Sequence, residues 1–281
     1  MLLGIVLLLS VVFSGLTCFW TGAFSNLSWL WVFPVGFVGY VLGLVVLICL
    51  LMLVASWTID LTKPQEEDDP YYRWFIEKLI ESLIPLVFVK LHVTGMEKLP
   101  KDGRFLLVCN HQSDTDPVVL LHCFAGKTLA FISKRENNQR FLVGKLMHRI
   151  MTQPINREND REALKTILKC VSILKEDKAS IGVFPEGYTS VDGLLHPFRH
   201  GVFKIAQKAG VPIVVCTLRN TRYIFGNAIR LKRTHVYLNL VDVVPAEQLK
   251  GVTAVAVGER VHAMMAEDLG PDLVLQSAEN T

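Results

Sequence analysis

Polar positions are almost missing from the front of this chain. The first 62 residues hold one charged side chain, Asp60. Two apolar runs, about residues 2–24 and 29–57, are parted only by Ser25-Asn26-Leu27-Ser28. Each exceeds the roughly 18 to 20 residues that a helix needs to cross a bilayer. Trp20, Trp29, Trp31 and Trp57 lie near the ends of the runs, where interfacial aromatics gather. Pro34 and the glycines of the second run are tolerated in lipid-crossing helices. The pattern predicts a transmembrane helical hairpin over residues 1–60. A signal peptide needs a basic leading region, and no Lys or Arg precedes Lys63.

The rhythm then changes. Residues 61–84 read as a charged linker followed by an amphipathic helix from Tyr71, with Trp74, Phe75, Leu79, Ile80, Leu83 and Ile84 at helical spacing and Pro85 as its stop. Short apolar runs of strand length follow at 87–93, 105–109, 129–132, 153–155, 181–184, 212–217 and 234–241. Helical patterns lie at 118–124, 161–175, 200–209 and 251–269, and in the second Leu164, Ile167, Leu168, Val171 and Leu174 are expected to point inward. Strands alternating with helices predict an α/β domain over 85–250, a mixed or parallel sheet flanked by helices, with a final helix and tail over 251–281.

Charge adds an orientation. All 29 Lys and Arg residues follow the hairpin, and positive-inside bias then expects the large domain on the cytoplasmic face of an integral membrane protein. Residues 134–165 are rich in Lys and Arg. Such a stretch is either a solvated face or a contact for anionic headgroups or donor phosphates. A nucleic-acid partner is not expected. The six cysteines (18, 49, 109, 123, 170 and 216) follow no CxxC spacing, which predicts reduced buried thiols and neither a disulfide framework nor a zinc site.

Two polar words interrupt the apolar strands. One is Asn110-His111-Gln112-Ser113-Asp114-Thr115-Asp116 after strand 105–109; the other is Phe184-Pro185-Glu186-Gly187-Tyr188-Thr189-Ser190 after strand 181–184. Ligands of open α/β sheets collect at the carboxyl ends of strands. Histidine is the default general base near neutral pH. A carboxylate five residues on suits a strand-to-helix turn, with His111 at the bend and Asp116 in the first helical turn. Read alone, this pair also fits a capping Asp beside a surface His. No serine or cysteine stands as an obvious nucleophile, so the base most simply activates a substrate hydroxyl. A metal site built on His111, Asp114 and Asp116 would need further spaced ligands, and the sequence offers none.

Together the two words resemble the glycerolipid acyltransferase family, of the 1-acylglycerol-3-phosphate acyltransferase type. Lys134-x-Glu136, Gly144 and Ile155-Asn156-Arg157 match its intermediate block, Pro197-Phe198-Arg199-His200-Gly201 its P-F-K-x-G segment, and Ala209-Gly210-Val211-Pro212-Ile213-Val214 its A-G-V-P-I-V strand start. The resemblance covers residues 85 to 245. It implies acyl transfer from acyl-CoA or acyl-carrier protein to a lysophospholipid hydroxyl, without metal or cofactor. His111 would be the base and Asp116 its orienting group. Lys134, Arg157, Glu186, Gly187, Thr189 and Ser190 would bind substrate.

The chain departs from the family at informative places. The family word is E-G-T-R-S, and here Tyr188 and Thr189 stand where Thr and Arg are usual. Asn156 replaces Asp, Asn137 replaces Leu and Phe141 replaces Pro. The missing arginine shifts phosphate recognition to Arg157, which can grip phosphate through two parallel hydrogen bonds, with Lys134 and Arg199 as further cations. Glu186 has two readings: an acceptor of backbone N–H bonds in a turn, or an acceptor-site residue, which the motif favours. The alternatives are an acyltransferase for another lyso-lipid and a non-catalytic membrane lipid-binding protein.

Overall fold

The computed structural model describes residues 2–57, 59–61, 63 and 65–275. Thr62, Pro64 and the end of the expected tail, residues 276–281, lie outside them. The chain divides into two units, Met1–Lys63 and Pro64–Thr281.

The first unit is a pair of helices, α1 (Leu2–Trp20) and α2 (Trp29–Trp57), with one 3-10 turn at Ala23–Ser25. Both are long and apolar enough, by length and composition, to cross a membrane. At 1.5 Å per residue they extend about 28 and 43 Å. Their few hydroxyls are satisfied locally: Ser10 donates to the Val6 carbonyl at 2.8 Å and Ser14 to that of Ser10 at 2.6 Å. The two helices meet where Thr17 Oγ1 and the Tyr40 hydroxyl share a 2.7 Å hydrogen bond. Internal pairing of this kind removes polar groups that lipid could not satisfy.

The second unit holds a seven-stranded mixed sheet. Its strands are β1 (Val89–Thr94), β2 (Leu106–Cys109), β3 (Leu129–Lys134), β4 (Gln153–Ile155), β5 (Ser180–Val183), β6 (Ile213–Arg219) and β7 (Thr234–Val244), in the order β1-β7-β6-β2-β5-β3-β4. Only the β6/β7 pair is antiparallel. The helices are α3 (Pro70–Leu86), α4 (Asp116–Cys123), α5 (Val143–Arg149), α6 (Asp160–Lys175), α7 (Lys204–Ala209), α8 (Ile224–Ile229) and α9 (Ala254–Leu269). Two helix starts follow from their caps: the Asp69 carboxylate accepts from the Tyr71 and Tyr72 amides ahead of Pro70, and Asn159 accepts from Arg161 and Glu162.

Both faces of the sheet are buried, as parallel strands under helices require. Along β2, Leu106 and Val108 enter one apolar cluster with α6, α7 and α9, while Leu107 and Cys109 enter the other with α3 and α4. The same alternation runs through β6, with Ile213 and Val215 on one side and Val214, Cys216 and Leu218 on the other. The amphipathic helix expected over 71–84 therefore belongs to the second unit, where Ile76 and Ile80 are core residues. So does α9, through Val257, Val261 and Met265.

Three expectations need correction. Helix α3 passes through Pro85 to Leu86; a proline in the last turn forfeits a single helical bond. Leu164 and Leu168 of α6 are about half exposed, and Cys170, Val171, Ile173 and Leu174 form its buried face. Leu164 borders an open cavity and so lacks cover. Among the cysteines, Cys18, Cys109, Cys170 and Cys216 are buried free thiols as expected, but Cys49 is exposed. Burial pushes the Cys109 and Cys216 thiols upward and Cys123 and Cys170 up to about 12.

Candidate active site

Strands β2, β3, β4, β5 and β6 run in one direction, so their carboxyl ends share one edge of the sheet. His111 follows β2, Lys134 ends β3, Arg157 follows β4 and Glu186 follows β5. Four blocks scattered over about 75 positions of sequence thus meet along one edge.

His111 is held at three points. Its Nδ1 lies 2.8 Å from Asp116 Oδ2. Its backbone N–H donates to Glu186 Oε1 at 2.7 Å, and its carbonyl accepts from the Ser190 amide at 2.8 Å. The ring stacks on Phe184, with centroids 4.1 Å apart and planes inclined by 17°. Phe184 in turn stacks on Phe131 of β3 at 5.8 Å. Gly182 makes this ladder possible, because a Cβ there would run into the Phe131 ring.

Asp116 stands in the first turn of α4 and is fully buried. Its Oδ2 also accepts the Gln112 amide at 2.6 Å and the Ser113 amide at 2.8 Å. Three donors on one oxygen fix the orientation of the carboxylate. An accepting carboxylate at Nδ1 puts the ring proton there, which leaves Nε2 as the basic nitrogen. That nitrogen lies 3.1 Å from the Thr189 hydroxyl. Asp114 turns away to Arg140, 3.4 Å distant, and leaves the dyad alone.

Glu186 is 1% exposed. Its second oxygen accepts the His196 amide at 3.1 Å, so the carboxyl ties the loop after β2 to the segment at 196. Desolvation raises it to about 7, against the lowering effect of the two backbone N–H bonds. It faces protein on all sides. Ser190, 1% exposed, donates to Asp192 Oδ1 at 3.0 Å. Asp192 also meets the His196 ring at 3.0 Å, and the Leu194 amide and His196 together draw it down to about 2.

The cations cluster at Gly187. Arg157 Nη1 donates to the Gly187 carbonyl, and the Arg199 side chain lies where a Gly187 Cβ would project. Gly187 has φ +83°, a region that favours glycine. Burial, and then the neighbouring Arg199 charge, lowers the Arg157 guanidinium from its usual value. Two guanidinium groups that repel one another invite an anion between them. Lys134 is more than half exposed and pairs with Glu136 at 3.5 Å.

A cavity of about 970 Å³ opens beside these groups. His111, Thr189, Arg157, Arg199 and Lys134 border it, while Leu79 and Leu83 of α3, Val118 of α4, Leu146 of α5 and Ile167 of α6 supply an apolar wall. A lining of both charged heads and aliphatic side chains fits an amphiphile.

Sequence reasoning passed over several supports. Asn110 grips β6 twice, donating to the Leu218 carbonyl at 2.9 Å and accepting its amide at 2.7 Å. Gln112 donates to the Gly193 carbonyl at 3.0 Å. Both stand inside the first polar word, and their adjacency to His111 was the available signal. The role of Phe184 as a platform had none.

A mixed α/β domain thus carries a His–Asp dyad and paired arginines at one sheet edge. Residues 90–219 match the acyltransferase family model, a stretch that contains every block quoted above up to Val214. The chain thus carries an acyltransferase domain and is similar to 1-acyl-sn-glycerol-3-phosphate acyltransferases. It is 38% identical over 157 residues to the chloroplast 1-acyl-sn-glycerol-3-phosphate acyltransferase of Arabidopsis thaliana, covering 54% of this chain and 43% of that one. It is 30% identical over 163 residues to the 1-acyl-sn-glycerol-3-phosphate acyltransferase of Escherichia coli, covering 58% and 64%. The match thus spans less than half of the plant relative. The crystal structure of the 1-acyl-sn-glycerophosphate acyltransferase of Thermotoga maritima superposes with a TM-score of 0.60 at 25% identity, covering 81% of this chain and 89% of that one.

Proposed function

We propose that the chain is a membrane-bound acyltransferase. It moves a fatty acyl group from a thioester donor, acyl-CoA or acyl-carrier protein, to the free hydroxyl of a lysophospholipid, 1-acylglycerol-3-phosphate becoming phosphatidate. The observation that carries this reading is the dyad: His111 Nδ1 is tied to Asp116 at 2.8 Å while Nε2 faces the cavity.

In this reading the acceptor hydroxyl displaces Thr189 from Nε2. His111 takes the hydroxyl proton as the oxygen attacks the thioester carbonyl. The imidazolium so formed is stabilised by the Asp116 carboxylate. Collapse of the tetrahedral intermediate breaks the C–S bond, and the departing thiolate receives the proton from His111. The acyl group passes directly to the acceptor, and no acyl-enzyme is needed.

Arg157 and Arg199, with Lys134 at the rim, take the acceptor's phosphate. Gly187 admits it close to the backbone. The apolar wall receives an acyl chain. Glu186 and Ser190, both buried and both bonded to the His111 backbone, are positioning residues and do not touch substrate. The helices α1 and α2 cross the membrane, and positive-inside bias puts the second unit on the cytoplasmic face.

A second acceptor reading rests on Thr189. With a hydroxyl where the family carries arginine, an acceptor with a smaller or differently placed anionic group is accommodated. One experiment separates these readings. The full chain in mixed micelles is given lyso-lipids of several headgroup types with acyl-CoA or acyl-carrier protein, and products are read by mass spectrometry. Phosphatidate formed by the wild type and absent with His111→Ala supports the proposal. Products in equal yield from both proteins overturn the mechanism.

A further inference from the structure

The connection between β6 and β7, residues 220–233, has a composition unlike the rest of the domain surface. It carries four cations, Arg222, Arg230, Lys232 and Arg233, and no carboxylate. All four are exposed. Interleaved with them are large apolar side chains in open solvent: Phe225 is 62% exposed, Ile229 85% and Leu231 76%. Helix α8 buries only Ile224. Scattered single hydrophobics are ordinary on a protein surface, but a contiguous set of this kind marks a contact site.

Topology fixes where the segment lies. Strand β6 runs parallel to β2, and β7 returns antiparallel to β6. The connection therefore turns at the carboxyl edge, which is the His111 edge. Two contacts fasten it to the site: the Thr115 hydroxyl reaches the Thr221 carbonyl at 3.5 Å, and Arg222 donates to the Asp192 carbonyl. The neighbouring connections present exposed apolar tips on the same edge. Phe141 follows β3, and Val191, 93% exposed, follows β5.

We propose that residues 220–233 form a peripheral docking surface for an anionic lipid membrane. Same-sign cations threaded among aromatic and aliphatic side chains match a headgroup layer above an acyl boundary. Charge complementarity selects a negative surface, and the apolar tips select a lipid one. The contact lies in the second unit and is separate from the apolar helices of the first. It rests on the fold and surface chemistry, not on the acyl-transfer reading.

The test uses the full chain reconstituted in neutral phosphatidylcholine vesicles and in vesicles enriched in phosphatidylglycerol. Hydrogen–deuterium exchange is followed in residues 220–233. Exchange is expected to slow by about tenfold or more in the anionic vesicles, and to return toward the neutral-vesicle rate at high salt. The variant Arg230→Gln/Lys232→Gln/Arg233→Gln should lose the difference while β2 and β6 keep their protection. Equal exchange of the wild type in both vesicle types overturns the proposal. Protection that persists in neutral vesicles and grows with protein concentration overturns it in favour of a second copy of the chain. Activity does not enter the readout, so failure here leaves the acyl-transfer test untouched.

Discussion

Phe184 lies flat against the imidazole of His111, centroids 4.1 Å apart, and closes one face of the ring from solvent. Asp116 fixes the ring's edge and Phe184 fixes its plane. The imidazole is therefore oriented before any substrate arrives, which is the condition for efficient proton transfer in the proposed reaction.

His111→Ala should lower acyl transfer by roughly 10² to 10⁴-fold while membrane insertion persists. Asp116→Asn should be comparably severe. The amide cannot be both a proton acceptor for His111 Nδ1 and a full acceptor for the Gln112 and Ser113 amides. It should also cost about 1 to 3 kcal/mol of stability. Turnover in detergent micelles and thermal unfolding check the two effects; near-wild-type turnover in either variant would falsify the base assignment.

Gly182→Ala probes the ring ladder from a distance. The added methyl must push the Phe131 ring, which leans on Phe184 and so on His111. A shift of this kind should depress kcat by about tenfold or more with a smaller effect on KM. Paired Gly182→Ala/Phe131→Leu removes the clash and should recover part of the loss. No recovery, in a variant that remains folded, counts against the ladder.

Glu186 gives the fold a pH dependence. Burial raises its carboxyl from 4.5 to about 7 in the folded protein. The native state then holds more protons than the unfolded one between those values, so stability falls as pH rises through this window. The contribution is complete below about pH 4.5 and gone above about pH 7. Glu186→Gln removes the titration, so the stability difference between wild type and variant should shrink or reverse from pH 5 to pH 8. A difference that is flat with pH contradicts the assignment.

Arg157→Ala should raise the apparent KM for a phosphate-bearing acceptor by about one to two orders of magnitude, since charge-assisted bonds contribute roughly 1.5 to 3 kcal/mol each. The donor KM should change much less. Arg199→Ala should act in the same direction, because the two guanidinium groups flank Gly187 together. Thr189→Arg should improve use of lysophosphatidate. A donor-side effect from Arg157→Ala alone reassigns the cluster to the thioester carrier's phosphates.

Much of this was legible in the sequence for a physical reason. Strands buried on both faces read as unbroken apolar runs, so β2 and β5 announce themselves and the polar residues at their ends stand out. The spacing of α6 places that helix to within a residue. Pairing was not legible, because it depends on contacts distant in sequence. Nothing local says that β2 lies between β5 and β6. Nor does the sequence reveal that Glu186 faces inward, since the two amides that satisfy it belong to His111 and His196. Leu164 misled for a related reason: helical periodicity reports an apolar face but not whether the facing surface is a sheet or a cavity. Helix α8, six residues with a glycine and few buried positions, left no periodic trace.

The position of β2 between later strands has a consequence for assembly during synthesis. Its partners, β5 and β6, and the Leu218 backbone that Asn110 grips lie far downstream, the last of these 108 residues away. The apolar helices leave the ribosome first, whereas the histidine's strand finds both neighbours only after residue 219 has emerged. Pairing of such long sequence separation is slow to form. Until then the nascent chain exposes the unpaired edges of β2, and the His111 edge of the sheet is incomplete. Ribosome-bound chains arrested before β6 should therefore be protease-sensitive across residues 105–190, and chains released after β7 should be resistant.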